Sequence, residues 1–585
     1  MKRYLNFVKG NWIFALLSAV FVLVVVYLEI ELPLITAKII DDIIPNIESM
    51  GNLAELRHQI LLMLVYSFAI LLLGFLAARC AAIASLGFTA NMRIAIFNKV
   101  QDFSFDNIDK FTTASLITRI INDTNSVQMV FSTFLNFFIK APLTLIFACI
   151  EARRISAELS KVFWFVIPII VAVFMIMAVI VVPKFRIMLE KTDKFNKTLQ
   201  ENFLGIRVVK SFVRENKEKD KFNEANNGLY HATMAAQKIM MLNLPILMLV
   251  LFGCMIYTLW NGSIQIYDFA GQEGALEIGT LTAFTSYISS VITSLMTFTM
   301  IFITMVMARA SIKRVNEVLD EKPSVTDENA DKSLKVTDGS IEFRNVSFKY
   351  SSEAEKNVLE NINISIKSGE IVGVIGATGS AKTTLVSLIP RLYEATCGEV
   401  LVSGRNVKDY TFENLREGVS MVLQNNVLFS GTIKENLLWG NRGASDEMIE
   451  EACRIAQAHE FISEFADGYE TKLEQGGVNV SGGQKQRLCI ARALLRAPKV
   501  LIFDDSTSAV DTATDTKIRD GLASYLPDTT KIIIAQRINS VKHADKIIIL
   551  DDGKIVGVGT HDELLENSEI YKEIYISQQK GALAQ

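Results

Sequence analysis

Residues 376–384 read GATGSAKTT, a glycine-rich run closed by a lysine and two threonines. Gly376, Ala377, Thr378, Gly379, Ser380, Ala381, Lys382 and Thr383 fit the spacing G-x-x-x-x-G-K-[ST], except that Ala381 stands at the last glycine. Backbone N–H groups of such a loop cradle phosphates, helped by the start of the helix that follows. Lys382 can neutralise the β- and γ-phosphates of ATP, the Thr383 hydroxyl can help hold Mg²⁺, and Thr384 extends the loop into its helix. An alanine can take helical φ/ψ at a helix start, so Ala381 is expected to leave nucleotide binding intact.

A second group could act on what that loop holds. Asp504 ends the apolar run VLIF, where a carboxylate reaches Mg²⁺ directly or through water, and Asp505 follows it. A general base must lie within hydrogen-bond reach of the attacking water. An aspartate there is one methylene shorter than a glutamate, and a displacement of about 1 Å can cost about 10²-fold in rate. A shifted backbone that still lets Asp505 serve as the base stays open. Gln536 follows the run KIIIA; its amide can donate a hydrogen bond but can neither shuttle a proton nor become cationic.

These groups need a frame, and the text after Gly339 supplies one. Ile341–Tyr350 alternates like a strand, IVGVI (371–375) is a buried strand entering the glycine loop, and 500–503, 531–535 and 546–550 read as further buried strands. Helical stretches such as 382–392 and 483–496 lie between them. That alternation predicts an α/β domain around a largely parallel sheet over 339–585.

The first 320 residues are of another kind. Half of the 585 residues are hydrophobic and the formal net charge is −4; no nucleic-acid partner is expected. Apolar runs long enough to span a bilayer, about 20 residues each, fall near 12–33, 58–84, 132–151, 162–183, 240–262 and 280–307. They predict an all-α membrane domain over 1–320, joined through the polar segment 321–338. Connections carrying Asp41, Asp42, Glu48 and Glu55, and Asp268, Glu273 and Glu277, are acidic. Those carrying Arg93, Lys99, Lys110 and Arg119, and Lys184, Arg186, Lys191, Lys194 and Lys197, are basic. Both termini are therefore expected in the cytoplasm, although the mixed 152–161 turn argues weakly the other way. The connections 85–130 and 184–239 carry helical periodicity and read as struts. Glu29, Glu31 and Arg79 sit late in their spans, where interfacial solvation or an internal ion pair is the first expectation. Six scattered cysteines and five histidines give neither a disulfide framework nor a zinc spacing.

Residues 339–579 resemble the nucleotide-binding domain of an ABC transporter, and the whole chain resembles an ABC half-exporter of multidrug type. Tyr350 matches the aromatic that stacks on adenine, Gln424 in MVLQNN the glutamine that senses Mg²⁺ and the attacking water, and Val480-Ser481-Gly482-Gly483-Gln484 the family signature. Ser508-Ala509-Val510-Asp511 matches the D-loop. The resemblance gives Asp505 and Gln536 a meaning, since the family's catalytic positions there hold Glu and His. It implies two domains sandwiching two ATPs, each touched by one chain's phosphate loop and the other's signature. A sound SGGQ beside Asp505 and Gln536 resembles the degenerate-site subunit of a bacterial heterodimeric exporter. Its own site would be slow, and its signature would complete a second half-transporter's site.

On that resemblance the expected cargo is a hydrophobic or amphipathic compound, drug-like or lipid, crossing the cell membrane. A homodimeric exporter of peptides or lipids and a nucleotide-sensing membrane subunit without transport are the alternatives. Gln475 stands before the signature where Glu is frequent, which puts coupling through that segment in doubt. Phe111–Asp123 and Gln200–Glu215 are similar to the family's two cytoplasmic coupling loops.

Overall fold

The structure, a computed structural model, describes residues 2–45, 53–268, 276–351, 354–505 and 511–583. Glu48, Glu273 and Ser508–Val510, read above in connections and in the D-loop, lie outside the described residues. The chain divides into two compact units, one of Met1–Gln101 with Thr113–Asp320, the other of Asp102–Thr112 with Glu321–Gln585.

Among the described residues of the first unit, six helical spans are long and apolar enough to cross a membrane: Trp12–Ile43, Leu53–Gln101, Thr113–Ile155, Lys161–Leu204, Glu215–Asp268 and Ile278–Asp320. Each contains one of the apolar stretches read from the sequence. Leu53–Gln101 is one unbroken helix of 49 residues; at about 1.5 Å per residue it runs roughly 70 Å, more than twice a hydrocarbon core of about 30 Å. The polar connections are thus continuations of the spans. Small residues let two helices approach: Ala77, Ala81 and Ala84 are buried, and the Ser18 hydroxyl donates to the Ala77 carbonyl at 3.1 Å. Phe284, Tyr287, Ile288 and Val291 of the last span form the middle of the core, against Val22, Val26 and Phe163.

Two short helices interrupt the long ones. Ile206–Ser211 lies within the expected 200–215 stretch, with Phe203, Leu204, Phe212 and Val213 exposed around it. The other bend comes earlier than the sequence suggested. Its helix is Phe105–Phe111, so the stretch Phe111–Asp123 begins where that helix ends and continues into the returning span. Ser104 sets the start, its backbone N–H donating to Asn107 Oδ1 at 3.1 Å in a reciprocal cap.

The second unit contains twelve strands among the described residues: β1 (Ile341–Phe348), β2 (Leu359–Ile366), β3 (Ile371–Ile375), β4 (Cys397–Val402), β5 (Arg405–Asn406), β6 (Val419–Val422), β7 (Gly431–Thr432), β8 (Lys472–Leu473), β9 (Val500–Asp504), β10 (Thr530–Ile534), β11 (Lys546–Asp551) and β12 (Lys554–Gly559). Six of them form a sheet ordered β12-β11-β3-β10-β9-β6, parallel except for the β11–β12 pair. Every residue of β9 and β10 is buried, as expected of a parallel sheet covered on both faces. A separate antiparallel sheet, β2-β1-β4-β5, packs beside it, and β7 pairs with β8.

Register explains why the candidate residues meet. Ile534 of β10 lies opposite Val374 of β3 and Asp504 of β9, and Val422 of β6 lies opposite Phe503. The loop after Ile375, Asp504 itself, Gln536 and Gln424 therefore leave one end of one sheet, the carboxyl ends where ligands of open α/β sheets bind.

Candidate functional site

The loop between β3 and the helix Lys382–Ser387 is a turn that demands small residues. A Cβ on Gly376 would sit 2.1 Å from the Leu550 carbonyl oxygen, and Gly379 has φ +90°. Ala381 departs from the helical geometry expected of it, adopting φ +71°, ψ 25° in the left-handed region. An L-residue pays roughly 1–2 kcal/mol there, so the alanine keeps the conformation a glycine would take and carries the strain. Buried Ser380 and Thr384 support the loop from beneath. Thr378, at its tip, takes no part in those supports.

Lys382 folds over the loop, its Nζ donating to the Gly376 and Ala377 carbonyls at 2.8 Å each. Burial holds its pKa below the usual lysine value, while Asp505 and Asp504 oppose that shift. Thr383 Oγ1 donates to Asp504 Oδ1 at 2.8 Å. Asp504 is 2% exposed; burial pushes its carboxyl above the usual range, and the neighbouring Asp505 charge adds to the push.

The residues present fit Mg²⁺ and ATP. A hydroxyl and a carboxylate already within hydrogen-bond distance are the hard oxygen donors that Mg²⁺ takes, and a cation restoring charge balance would relieve the strained ionisation of Asp504. Bound Mg²⁺-ATP supplies the anhydride to be cleaved. Thr383 and Asp504 would hold the metal and Lys382 the phosphates; Gln424, exposed just past β6, leaves the same end of the sheet.

Asp505 and Gln536 form the corner in which hydrolysis would begin. Asp505 has φ +48°, and its N–H donates to the Ile534 carbonyl at 3.2 Å. Gln536 Nε2 donates to Asp505 Oδ2 at 2.7 Å. Burial raises the Asp505 carboxyl; the Gln536 hydrogen bond and the charges of Lys382 and Arg537 pull it back.

One residue of this corner had no signal in the sequence. Gln578, on the C-terminal helix Glu569–Leu583, donates to the Gln536 carbonyl at 2.8 Å and accepts from the Ile538 N–H at 2.9 Å. A single side chain thus clamps both sides of the Gln536 turn, from more than forty residues along the chain.

Tyr350 leaves β1 beside the loop. Its ring meets Phe348 and Tyr393 edge-on at 4.9 and 5.2 Å, and its hydroxyl lies 2.8 Å from Thr384 Oγ1. The ring is half exposed, so one face remains for a stacking partner. Tyr393 in turn donates to Asp109 of the Phe105–Phe111 helix at 2.8 Å and touches Phe105. This aromatic bridge also escaped the sequence reading.

The signature segment is built differently. Ser481 caps the helix Gly482–Leu494: its Oγ accepts from the Gln484 N–H at 3.2 Å, and its own N–H donates to Gln484 Oε1 at 2.9 Å. A Cβ on Gly482 would meet nothing within 4 Å. Gly483 lends its carbonyl to Arg487 at 3.3 Å. Asp511 caps the helix Thr512–Tyr525 by accepting from the Thr514 N–H at 2.9 Å, which lowers its pKa. Gln475 sits in a short turn, Gln475–Gly477, ahead of the signature.

Comparison with known proteins agrees with this geometry. The family model "ABC transporter transmembrane region" matches residues 15–313, and "ABC transporter" matches residues 359–508. The chain is 35% identical to the ABC transporter ATP-binding protein YfiB of Bacillus subtilis (strain 168), covering 99% of this chain and 98% of that protein. It is 31% identical to YgaD of the same organism, covering 99% of each; that name proposes a multidrug export ATP-binding/permease protein. Its fold matches a bacterial Atm1-family ABC exporter solved with ATP bound, at TM-score 0.81 and 22% identity over 98% of each chain. This chain belongs to the ABC transporter family: it is a multi-pass membrane protein in which an exporter-type transmembrane region is fused to an ATP-hydrolysing domain.

Proposed function

We propose that the chain is one half of a heterodimeric exporter that moves hydrophobic or amphipathic compounds, drug-like or lipid, across the cell membrane. Its N-terminus and α/β unit are cytoplasmic. Its own ATP site, built on the Gly376–Thr384 loop, binds nucleotide and Mg²⁺ but cleaves slowly. Ser481, Gly482, Gly483 and Gln484 complete the faster site of a second half-transporter.

The observation that carries this reading is the 2.7 Å hydrogen bond from Gln536 Nε2 to Asp505 Oδ2. Asp505, the carboxylate read as the base, is short, and the group beside it is an amide that cannot take or pass a proton. The basic cytoplasmic connections support the orientation, and the name of YgaD supports the cargo class.

The test restores both side chains. Asp505→Glu with Gln536→His, in an assembled pair whose partner has lost its catalytic glutamate, is expected to raise residual ATPase by about 10–10²-fold. In the otherwise intact pair the same change alters total ATPase by less than about threefold, because the partner's site dominates. ATPase that persists at full rate without the partner's glutamate, before any restoration, would sink the division of labour.

A further inference from the structure

Among the described residues of the transmembrane unit, an ion pair joins two of the apolar helices. Lys140 Nζ lies 2.8 Å from Glu29 Oε1, on two different spans, with the side chains 37% and 34% exposed. Glu29 is roughly 25 Å along its helix from Trp12, and Lys140 roughly 22 Å from Ile155, at about 1.5 Å per residue. Within the apolar stretches, Lys140 lies eight residues, roughly 12 Å, from the nearer end of 132–151, and Glu29 lies four residues from the end of 12–33.

The backbone around the pair is irregular in both helices. Pro33 has no N–H, so the Glu29 carbonyl lacks its helical donor. The π-helical segment Phe134–Phe138 ends two residues before Lys140, and insertions of that kind gather at functional sites. The last span fixes both members in place. Tyr287 donates its hydroxyl to the Ile30 carbonyl at 2.8 Å and Ser294 donates to the Ala141 carbonyl, one bond next to each partner of the pair. Tyr287 and Ser294 are both buried and lie two turns apart on one face. The pair is therefore held by the core on one side and open on the other. A charged pair open to hydrocarbon within a span is expensive, so a polar path along the open side is the reading that spares the cost.

From this geometry we infer that Glu29 and Lys140 form a recognition site for the head group of a zwitterionic amphiphile on its way through the transmembrane unit. The inference rests on the amphiphile-export reading above and names the charge pattern of its substrate. A ligand with a single charge would free one member of the pair and strand the other in an apolar wall, which is the costly way to break a buried ion pair. A ligand carrying adjacent cation and anion exchanges partner for partner: its ammonium takes Glu29 and its phosphate or carboxylate takes Lys140, with charge-assisted hydrogen bonds kept on both sides. Phe134 and Phe138, stacked at 4.4 Å and both about 40% exposed, offer apolar surface one turn away.

The assembled transporter in proteoliposomes tests this through stimulation of ATPase by two probes, dodecylphosphocholine and the uncharged dodecyl maltoside. Removing both charges together leaves no uncompensated charge, so Glu29→Gln with Lys140→Gln is read as probe-stimulated ATPase relative to its own basal rate. The half-saturating concentration of the phosphocholine probe is expected to rise at least about tenfold, while that of the maltoside stays unchanged. Equal shifts for both probes, or none, would overturn the inference and leave the export reading standing. A wild-type transporter that responds to neither probe would overturn the export reading, and the inference with it. Should the neutral double variant fail to assemble, Glu29→Lys with Lys140→Glu decides. A merely structural pair is restored by that swap and regains wild-type response, whereas a recognition site, its polarity reversed, stays weakened for the phosphocholine probe alone.

Discussion

The hydrolytic corner and the signature segment lie in the same α/β unit and are built to different standards. Around Asp505 and Gln536 the backbone is strained at φ +48° and the two polar side chains satisfy one another. Around Ser481 and Gln484 the helix start is fully capped by two reciprocal bonds, and Gly482 faces open space. An open glycine behind a rigid cap is a surface prepared for something that approaches from outside the chain. A carboxylate tied to an amide is a poor place to activate water. On the proposed reading, that difference assigns binding, cleavage and completion of a neighbour's site to different residues.

The comparison breaks most visibly at the signature. The Cβ that Gly482→Asp adds meets nothing within 4 Å, and an acidic residue in the first helical turn is favourable there. The variant should therefore melt within about 0.5 kcal/mol of wild type. Total ATPase of the assembled pair should nevertheless fall about 10²-fold or more, because the new charge faces phosphates held by the other half. An unimpaired ATPase would remove the signature from the catalytic path.

A smaller effect sharpens the description of the chain's own site. The Asp504 carboxyl is raised in the folded protein by burial and by Asp505. Its ionisation therefore costs stability above the raised value, and that cost disappears as the pH falls below the ordinary carboxylate range. Asp504→Asn should raise the ligand-free melting midpoint near neutral pH, and the gain should shrink as the pH falls through the ordinary carboxylate range. The same variant should lose most of the stabilisation that Mg²⁺ with ATP confers. Calorimetry at neutral and at acidic pH, with and without nucleotide, measures both effects; equal midpoints at neutral pH would contradict the burial argument.

The smallest effect concerns Ala381. Because the left-handed turn is already present in the loop, Ala381→Gly should stabilise the chain by up to about 1 kcal/mol. Affinity for nucleotide should stay within about twofold. A tenfold gain in affinity would mean that the alanine loop has to be remade on binding.

How much of this was legible beforehand depended on the range of the interaction. IVGVI reads as a strand, and β3 spans the same five residues, because β-branched apolar runs buried on both faces have one solution. The six apolar stretches were legible for the same reason: about 20 largely apolar residues must find lipid, even where Glu29, Arg79 or Lys140 interrupts them. The antiparallel sheet was only glimpsed through Ile341–Tyr350. Its strands are broken by register shifts at Asn345 and Asn361, both at φ +49°, which erase a clean period of two. The Ala381 conformation was misread because local propensity favours right-handed alanine and the phosphate-loop closure overrules it. The helix Phe105–Phe111 was missed although Ser104 and Asn107 spell out its cap. Contacts between distant segments left no trace in spacing at all, as with Gln578 on the Gln536 turn, Tyr393 on Asp109, and Lys140 on Glu29.

The central claim is that this chain's phosphate loop holds the slow site and its signature serves the fast one. Vanadate trapping of a photoreactive ATP analogue in the assembled transporter, followed by separation of the chains, tests it most directly. The account predicts trapped label on the second half-transporter and little on the chain bearing Lys382, with Gly482→Asp in this chain abolishing it. Label on this chain equal to or greater than its partner's would contradict the account and return Asp505 to the role of a working base.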